Sequence, residues 1–492
     1  MKILMVYPET PDTFWGFKNA LKFVSKKASE PPLGLITVAA MLPADWQLKL
    51  VDMNVSSLKD KHILWADYIF LSGMIVQINS FKDVIRRCNI LGRKVIAGGP
   101  LATTQYSDIL GVDHFILNEA EITLPLFLHD LEAGNPKHIY TSNEFPNLNI
   151  TPSPRFDLLE MNKYATMDIQ YSRGCPYDCE FCSITLLNGH RPRVKSASQF
   201  LNELQNLYNL NWRGDVMIVD DNFIGNKRLL KNELLPALTK WVKDKNYPFK
   251  FITEASINLA DDDELTSMMI EAGFTGVFVG IETTNESSLI ECGKSQNLKR
   301  NLTDSINKLH NKGLIVSGGF IVGFDNDPAN IFEQMINFIQ KTGIVTAMVG
   351  LLNAPTGTKL FNRLKSEDRL LENFTGNNMD GTINFVPIMP YHELINGYAK
   401  VIKTIYSQKE FYNRVRTFLS NYKIPIVHTD KIRKREIFAF LKLIWKLGII
   451  EKGKKYFWKL VAVSLFKHPK KFSTAMTLAV YGFHFRKIAA ML

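Results

Sequence analysis

The 492-residue sequence predicts an α/β protein in two unequal α/β parts followed by a helical tail, and three observations predict it. Short β-branched runs alternate with amphipathic stretches over residues 1–135. The same alternation resumes with longer helices over 167–390. After Pro390 the pattern turns helical and basic.

In the first part, residues 3–6, 48–51, 68–72, 94–97 and 114–117 read as strands, giving a five-strand, doubly wound domain. Residues 136–166 carry Pro136, Pro146, Pro152 and Pro154 among Asn, Thr and Ser, and read as a linker. In the second part, strands are expected at 167–171, 215–219, 249–253, 276–280, 315–322 and 346–351. Six βα units are too few to close an eight-fold barrel, so a partial barrel is expected, with its chemistry where the strands end. Residues 391–492 form the last, helical region.

With 46% hydrophobic and 22% charged residues the chain is globular rather than disordered. Its net charge of +11 is uneven: residues 401–492 hold 20 Lys and Arg against 4 Asp and Glu, while the rest is mildly acidic. No apolar run reaches the ~18 residues of a membrane span, and Met1-Lys2-Ile3-Leu4-Met5-Val6 lacks the order of a signal peptide. A cytoplasmic protein is expected. Five cysteines, three of them clustered, suit a reducing compartment and a metal site; Cys88 and Cys292 read as ordinary thiols.

The cluster is Arg173-Gly174-Cys175-Pro176-Tyr177-Asp178-Cys179-Glu180-Phe181-Cys182, in a loop just after a strand. A structural zinc site would want a fourth ligand, for which His190 is the local candidate. Alternatively, three thiolates can hold three irons of a [4Fe-4S] cluster and leave the fourth open to a small molecule. Polar residues recur beyond successive strands: Asp220, Asp221 and Asn222, then Glu254, then Glu282. They could accept bonds from an ammonium and a ribose diol, or serve as helix caps.

This loop resembles that of the radical S-adenosylmethionine (SAM) superfamily, with Phe181 at the family's aromatic place. The resemblance implies that Cys175, Cys179 and Cys182 ligate the cluster, that SAM chelates the open iron, and that reduction yields a 5′-deoxyadenosyl radical. Ser317-Gly318-Gly319-Phe320-Ile321-Val322-Gly323 resembles the family's fifth-strand motif, implying that Gly319 and Gly323 approach the adenine. Arg191 and Arg193 could hold the SAM carboxylate, bind substrate or form a solvated loop.

A Rossmann-like domain ahead of such a barrel resembles the cobalamin-binding arrangement of class B radical SAM methyltransferases. The matching positions follow strands: Asp52 and Asn54, Ser72 and Gly73, Gly98 and Gly99, Glu119 and Glu121. The Asp-x-His-x-x-Gly signature is absent, since Asn54 and Ser57 stand at its His and Gly places, so no histidine ligand to cobalt is assigned. The Gly98-Gly99 pair also suits a plain tight turn. Further likeness, in Pro31-Pro32-Leu33-Gly34-Leu35, Glu282-Thr283-Thr284-Asn285 and Ala354-Pro355-Thr356-Gly357-Thr358, is to the subgroup of hopanoid methylases and archaeal lipid-ring synthases.

The resemblance implies a cobalamin-dependent methyltransferase acting on an unactivated carbon of a hopanoid or isoprenoid-like lipid. One SAM methylates cobalamin; a second yields the radical that takes a substrate hydrogen. Flavodoxin or ferredoxin would supply electrons. A radical SAM lipid cyclase with the same domains, and an inactive cobalamin-binding scaffold, are the alternatives. The tail mixes Trp, Phe and Leu with lysines at helical spacing over 452–467. It fits a helix in the interface of a membrane's inner face, or a helical cap on the barrel; no nucleic-acid module is recognised.

Overall fold

The computed structural model describes residues 1–371, 375–377, 380–425 and 434–491. Lys431 and Arg433 of the basic tail lie outside them.

Strands β1 (Lys2–Tyr7), β2 (Gln47–Asp52), β3 (Tyr68–Ser72), β4 (Lys94–Gly98), β5 (His114–Ile116) and β6 (Ile139–Tyr140) form one parallel sheet in the order β2-β1-β3-β4-β5-β6. Alternate residues of β1 serve opposite cores. Leu4 and Val6 pack with Phe81, Val84 and Ile85 of helix Ile78–Ile90, whereas Ile3 and Met5 pack with Leu35 and with Leu124 and Phe127 of helix Ala120–Glu132. Strand order reverses at β1, so the loops after β1 and β3 part there and leave a crevice. The sixth strand corrects the expected five. Its two residues are too short for any periodicity to betray, yet Leu117 donates to the Tyr140 carbonyl at 2.9 Å and the Tyr140 ring is buried.

Strands β7 (Thr166–Ile169), β10 (Asp215–Ile218), β11 (Lys250–Glu254), β12 (Phe274–Glu282), β13 (Ile315–Val322) and β14 (Ala347–Leu351) make a second parallel sheet in that sequential order, a six-stranded open barrel. Between β7 and β10, β8 (Ser172–Arg173) and β9 (Arg193–Val194) pair antiparallel and close the stem of the cysteine loop. The expected strand over 167–171 therefore ends early and turns into this hairpin.

The start of β7 and the residues just before it are bonded to the amino-terminal part of the chain. Lys27 donates to the Lys163 carbonyl at 2.8 Å, Ala165 to that of Ala28 at 3.0 Å and Thr166 to that of Ser29 at 2.9 Å. Beyond the barrel, helices Tyr391–Ile405, Gln408–Asn421, Lys454–Lys467 and Phe472–Ala489 share its hydrophobic core. The inner side of Lys454–Lys467 buries Phe457, Leu460 and Val461, as a cap would. Among the described residues no helix is long and apolar enough to cross a membrane.

Candidate functional site

The cysteine loop is held by acids from the neighbouring strand end. Asp220 accepts at one carboxylate oxygen from the Tyr171 amide (2.7 Å) and at the other from the Ser172 amide and hydroxyl (2.8 and 2.6 Å). Asp221 accepts from the Gly174 amide (2.8 Å) and the Asn188 side chain (3.0 Å), tying the start of the loop to its far end. Asn222 exchanges bonds with Ser256. These three residues were expected at a cofactor; in the structure Asp220 and Asp221 accept from backbone amides of the cysteine loop while also lining the cavity between the domains, and Asn222 bonds the loop after β11. Gly174 must be glycine: its φ is +96°, and a Cβ would stand 2.7 to 2.9 Å from three carbonyl oxygens.

Cys175, Cys179 and Cys182 are half-buried free thiols. Burial pushes their pKa values up, that of Cys182 to about 12, and Lys294 draws all three down. Lys294 pairs with Glu282 at 2.5 Å, so a cation and a carboxylate sit beside the thiols. Lys294 escaped the sequence reading, which had no signal for it: it reaches the loop only because β12 and the turn after helix Glu286–Glu291 bring it there. Phe181 packs on Phe324, with ring centroids 6.2 Å apart. Cys292 is buried, and its carbonyl accepts from the Glu180 amide at 2.9 Å.

Three soft thiols on one loop beside a buried lysine form a donor set suited to an iron-sulfur cubane. Among the described residues no three His, Cys, Asp or Glu side chains converge as a single ion requires. A cubane asks less, because each thiolate reaches its own iron. His190, the zinc-site candidate, is exposed.

The loop is also tied to the amino-terminal domain. Arg173 binds Glu119 at 2.6 Å and Glu121 at 2.9 Å, and Arg193 binds Glu119 at 2.6 Å. All four side chains are largely buried. Glu119 and Glu121, expected at cobalamin, thus spend their charge on the arginines beside the cysteines. The Arg193 guanidinium is also taken by the Pro146 and Asn188 carbonyls, which makes it a positioning group, while Arg191 is exposed.

One cavity of about 1070 Å³ joins the two domains. On one side it is lined by Asn54, Ser72, Gly73, Gly98 and Gly99, at the crevice of the first sheet; on the other by Asp221 and Glu254 at the barrel mouth and by Met217 and Phe278. This exceeds the ~300–1,000 Å³ of a drug-sized pocket and suits a macrocycle. Its glycines bring backbone close to the wall where a side chain would collide with protein: Gly99 has φ +83°, and a Cβ there would stand 2.3 Å from the Ser72 hydroxyl. Asp52 is buried behind this rim, its carboxylate accepting from Asn54 (2.8 Å) and the Tyr164 hydroxyl (2.9 Å). Gly319 and Gly323 face protein. The ring of Phe278 occupies the space beside Gly319, and Leu394 that beside Gly323.

Two acids that the sequence reading missed, Glu30 and Asp168, also line this cavity. Burial, then the charge of Glu30, holds the Asp168 carboxyl well above the usual range, and one of its oxygens has no hydrogen-bond partner. Burial also pushes Glu254 up to about 7.

A dinucleotide-type crevice facing a six-stranded barrel with a three-cysteine loop defines a cobalamin-dependent radical SAM enzyme. Comparison with known proteins agrees. Residues 24–128 match the B12-binding domain, 169–339 the radical SAM superfamily and 358–492 a domain of unknown function, DUF4070. An uncharacterised methyltransferase of Synechocystis sp. is 40% identical over 99% of this chain and 91% of its own. The hopanoid C-2 methylase of Rhodopseudomonas palustris is 30% identical over 93% of this chain and 88% of its own. In fold, the chain is similar to the cobalamin-dependent SAM radical enzyme OxsB (TM-score 0.63, 14% identity, covering 100% of this chain and 80% of that one). It is equally similar to the methyltransferase TsrM of Kitasatospora setae (TM-score 0.63, 11% identity, 99% of both). The chain belongs to the cobalamin-dependent radical SAM methyltransferases. Its cofactors are a [4Fe-4S] cluster, SAM and cobalamin.

Proposed function

We propose that the protein transfers a methyl group to an unactivated carbon of a hopanoid or isoprenoid-like lipid, met at the inner face of a membrane, with electrons from a flavodoxin or ferredoxin. The single cavity shared by the crevice and the barrel mouth carries this reading, because both cofactors and the substrate must meet in one water-poor space. Its walls include Trp15, Leu35, Ile96, Leu124 and Phe278, which suits an apolar substrate. The hopanoid C-2 methylase likeness points to the same substrate class.

Bound there, the cluster with SAM supplies a carbon-centred radical and cobalamin supplies the methyl group. Cys175, Cys179 and Cys182 would hold the cluster. Asp220 and Asp221 fix the loop that carries them, and Lys294 offsets negative charge beside it. Ser72, Gly73, Gly98 and Gly99 would cradle the corrin, with Asn54 at the rim. Arg173 and Arg193, through Glu119 and Glu121, set the distance between the two halves of the site. The apolar walls exclude water from the reacting carbon.

The test is anaerobic reconstitution, followed by mass spectrometry of lipid extracts from cells with and without the protein. The expected result is 5′-deoxyadenosine release from SAM and a lipid heavier by one CH₂ only where the protein is present. Identical lipid extracts, with the methylated product found in another class of molecule, would overturn the lipid reading.

A further inference from the structure

The region matching the domain of unknown function has two sides. Its inner side belongs to the barrel core; its outer side is apolar and basic at once. Helix Lys434–Leu443 continues through Ile444–Ile450, and along it Ile437, Leu441, Trp445 and Ile449 recur every fourth residue, all exposed, Trp445 by 61%. Leu443 and Leu447 point the other way and are buried. On the next helix, Lys454–Lys467, Trp458, Leu465 and Phe466 are exposed, Phe466 by 87%. The two rows adjoin, since the Trp458 indole donates to the Gly448 carbonyl at 2.9 Å and its ring lies over Gly448.

Between residues 437 and 471 the sequence has nine lysines and a single acid, Glu451. Lys452, Lys454, Lys459, Lys467 and Lys470 are exposed around the apolar rows. A face made to pack on protein would not need so one-sided a charge. Wide apolar side chains standing out among lysines match the boundary between acyl chains and anionic headgroups.

The face is linked to the cavity. Lys446 lies over the Phe483 ring at 5.7 Å, on the last helix. On that same helix Phe485 stacks on Phe14 at 4.3 Å, and His484 Nε2 lies 3.0 Å from the Phe14 carbonyl oxygen. The next residue, Trp15, lines the cavity and packs edge-on against Phe278, with ring centroids 5.0 Å apart. One helix and one loop therefore separate the exposed rows from the cavity wall.

We infer that the outer side of residues 437–467 is a docking surface for an anionic lipid bilayer, which seats the cavity wall near the source of a lipid substrate. The inference deepens the lipid reading above by naming where the membrane is met; the surface itself is argued from the exposed rows and the lysines alone.

The experiment uses the full-length protein and flotation with vesicles of phosphatidylcholine, alone or mixed with phosphatidylglycerol. Binding to the mixed vesicles should exceed binding to the neutral ones by about tenfold or more, and should fall as salt is raised. Trp445→Glu with Phe466→Glu should lower it by about tenfold or more while leaving 5′-deoxyadenosine release unchanged. Equal binding by variant and wild type, or no binding to either vesicle, overturns the inference. So does a dimer that the same substitutions dissociate without any vesicle binding, which would give the face to a second copy. Vesicle binding without a methylated lipid would sink the substrate reading alone. A lipid methylated in detergent by a protein that ignores vesicles would sink the docking surface alone.

Discussion

The barrel mouth and the rim of the amino-terminal sheet face the same cavity and are built on opposite plans. At the mouth, several polar side chains are tied up by the protein itself: Asp220 and Asp221 accept from the backbone of the cysteine loop, and Arg173 is held between Glu119 and Glu121. At the rim, Ser72, Gly73, Gly98 and Gly99 present a small side chain or none beside larger apolar ones. A small loop that must present three sulfurs in fixed positions needs many bonds from its surroundings. A large planar ligand needs space and backbone.

That contrast sets the size of what substitutions should do. The largest effect is expected at the loop. Cys179→Ala should abolish 5′-deoxyadenosine release and lower bound iron, while corrinoid retention, which belongs to the rim, survives; iron and corrinoid assays on one preparation check both. Next is Arg173→Met, which leaves Glu119 and Glu121 buried with part of their charge unpaired. It should cost about 3–5 kcal/mol of stability by thermal or denaturant unfolding. In protein that still folds, methyl transfer should fall further than SAM cleavage, because the tie between the two halves is what has gone.

At the rim, Gly99→Ala should do the reverse of Cys179→Ala. A left-handed residue there costs about 1–2 kcal/mol, and the added methyl displaces Ser72. Corrinoid retention should drop with SAM cleavage intact; unchanged retention would remove the cradle from the rim. The narrowest effect, confined to high pH, is at Glu254, whose folded-state pKa of about 7 lies above the ~4.3 of a free glutamate. The folded protein therefore binds the extra proton between these values. The stability this group contributes is present below about pH 4 and lost as pH rises through about 7. In cofactor-free protein, Glu254→Gln should raise stability at about pH 8 by about 1–3 kcal/mol and have little effect at about pH 4.

The parallel strands were legible because, buried on both faces, they read as continuous apolar runs; the three-cysteine loop was legible because local spacing carries it. What escaped the sequence is long-range. Arg173 and Glu119 are 54 residues apart, and nothing in either neighbourhood announces the pair. Asp220 and Asp221 look like ligand acceptors beside a strand end, and only the return of the cysteine loop shows that its amides reach them. Lys294 and Glu282 lie 12 residues apart with a helix between, at no periodic spacing. The tail was ambiguous because one helix serves two surroundings, and its stripe of lysines and aromatics reads as cap or interface until each side chain has a side.

The edge bonds from Lys27, Ala28 and Ser29 to the strip beside β7 carry a consequence for how the molecule can be divided. Domain order along the chain suggests beads that could be cut apart, yet the barrel borrows a finishing strip from the domain ahead of it. Severed from that strip, the Lys163 carbonyl and the Ala165 and Thr166 amides at the start of β7 would be left unpaired, open to any neighbouring chain. A protein engineer wishing to exchange the corrin half for another would have to keep residues 27–29 with the barrel or supply a substitute.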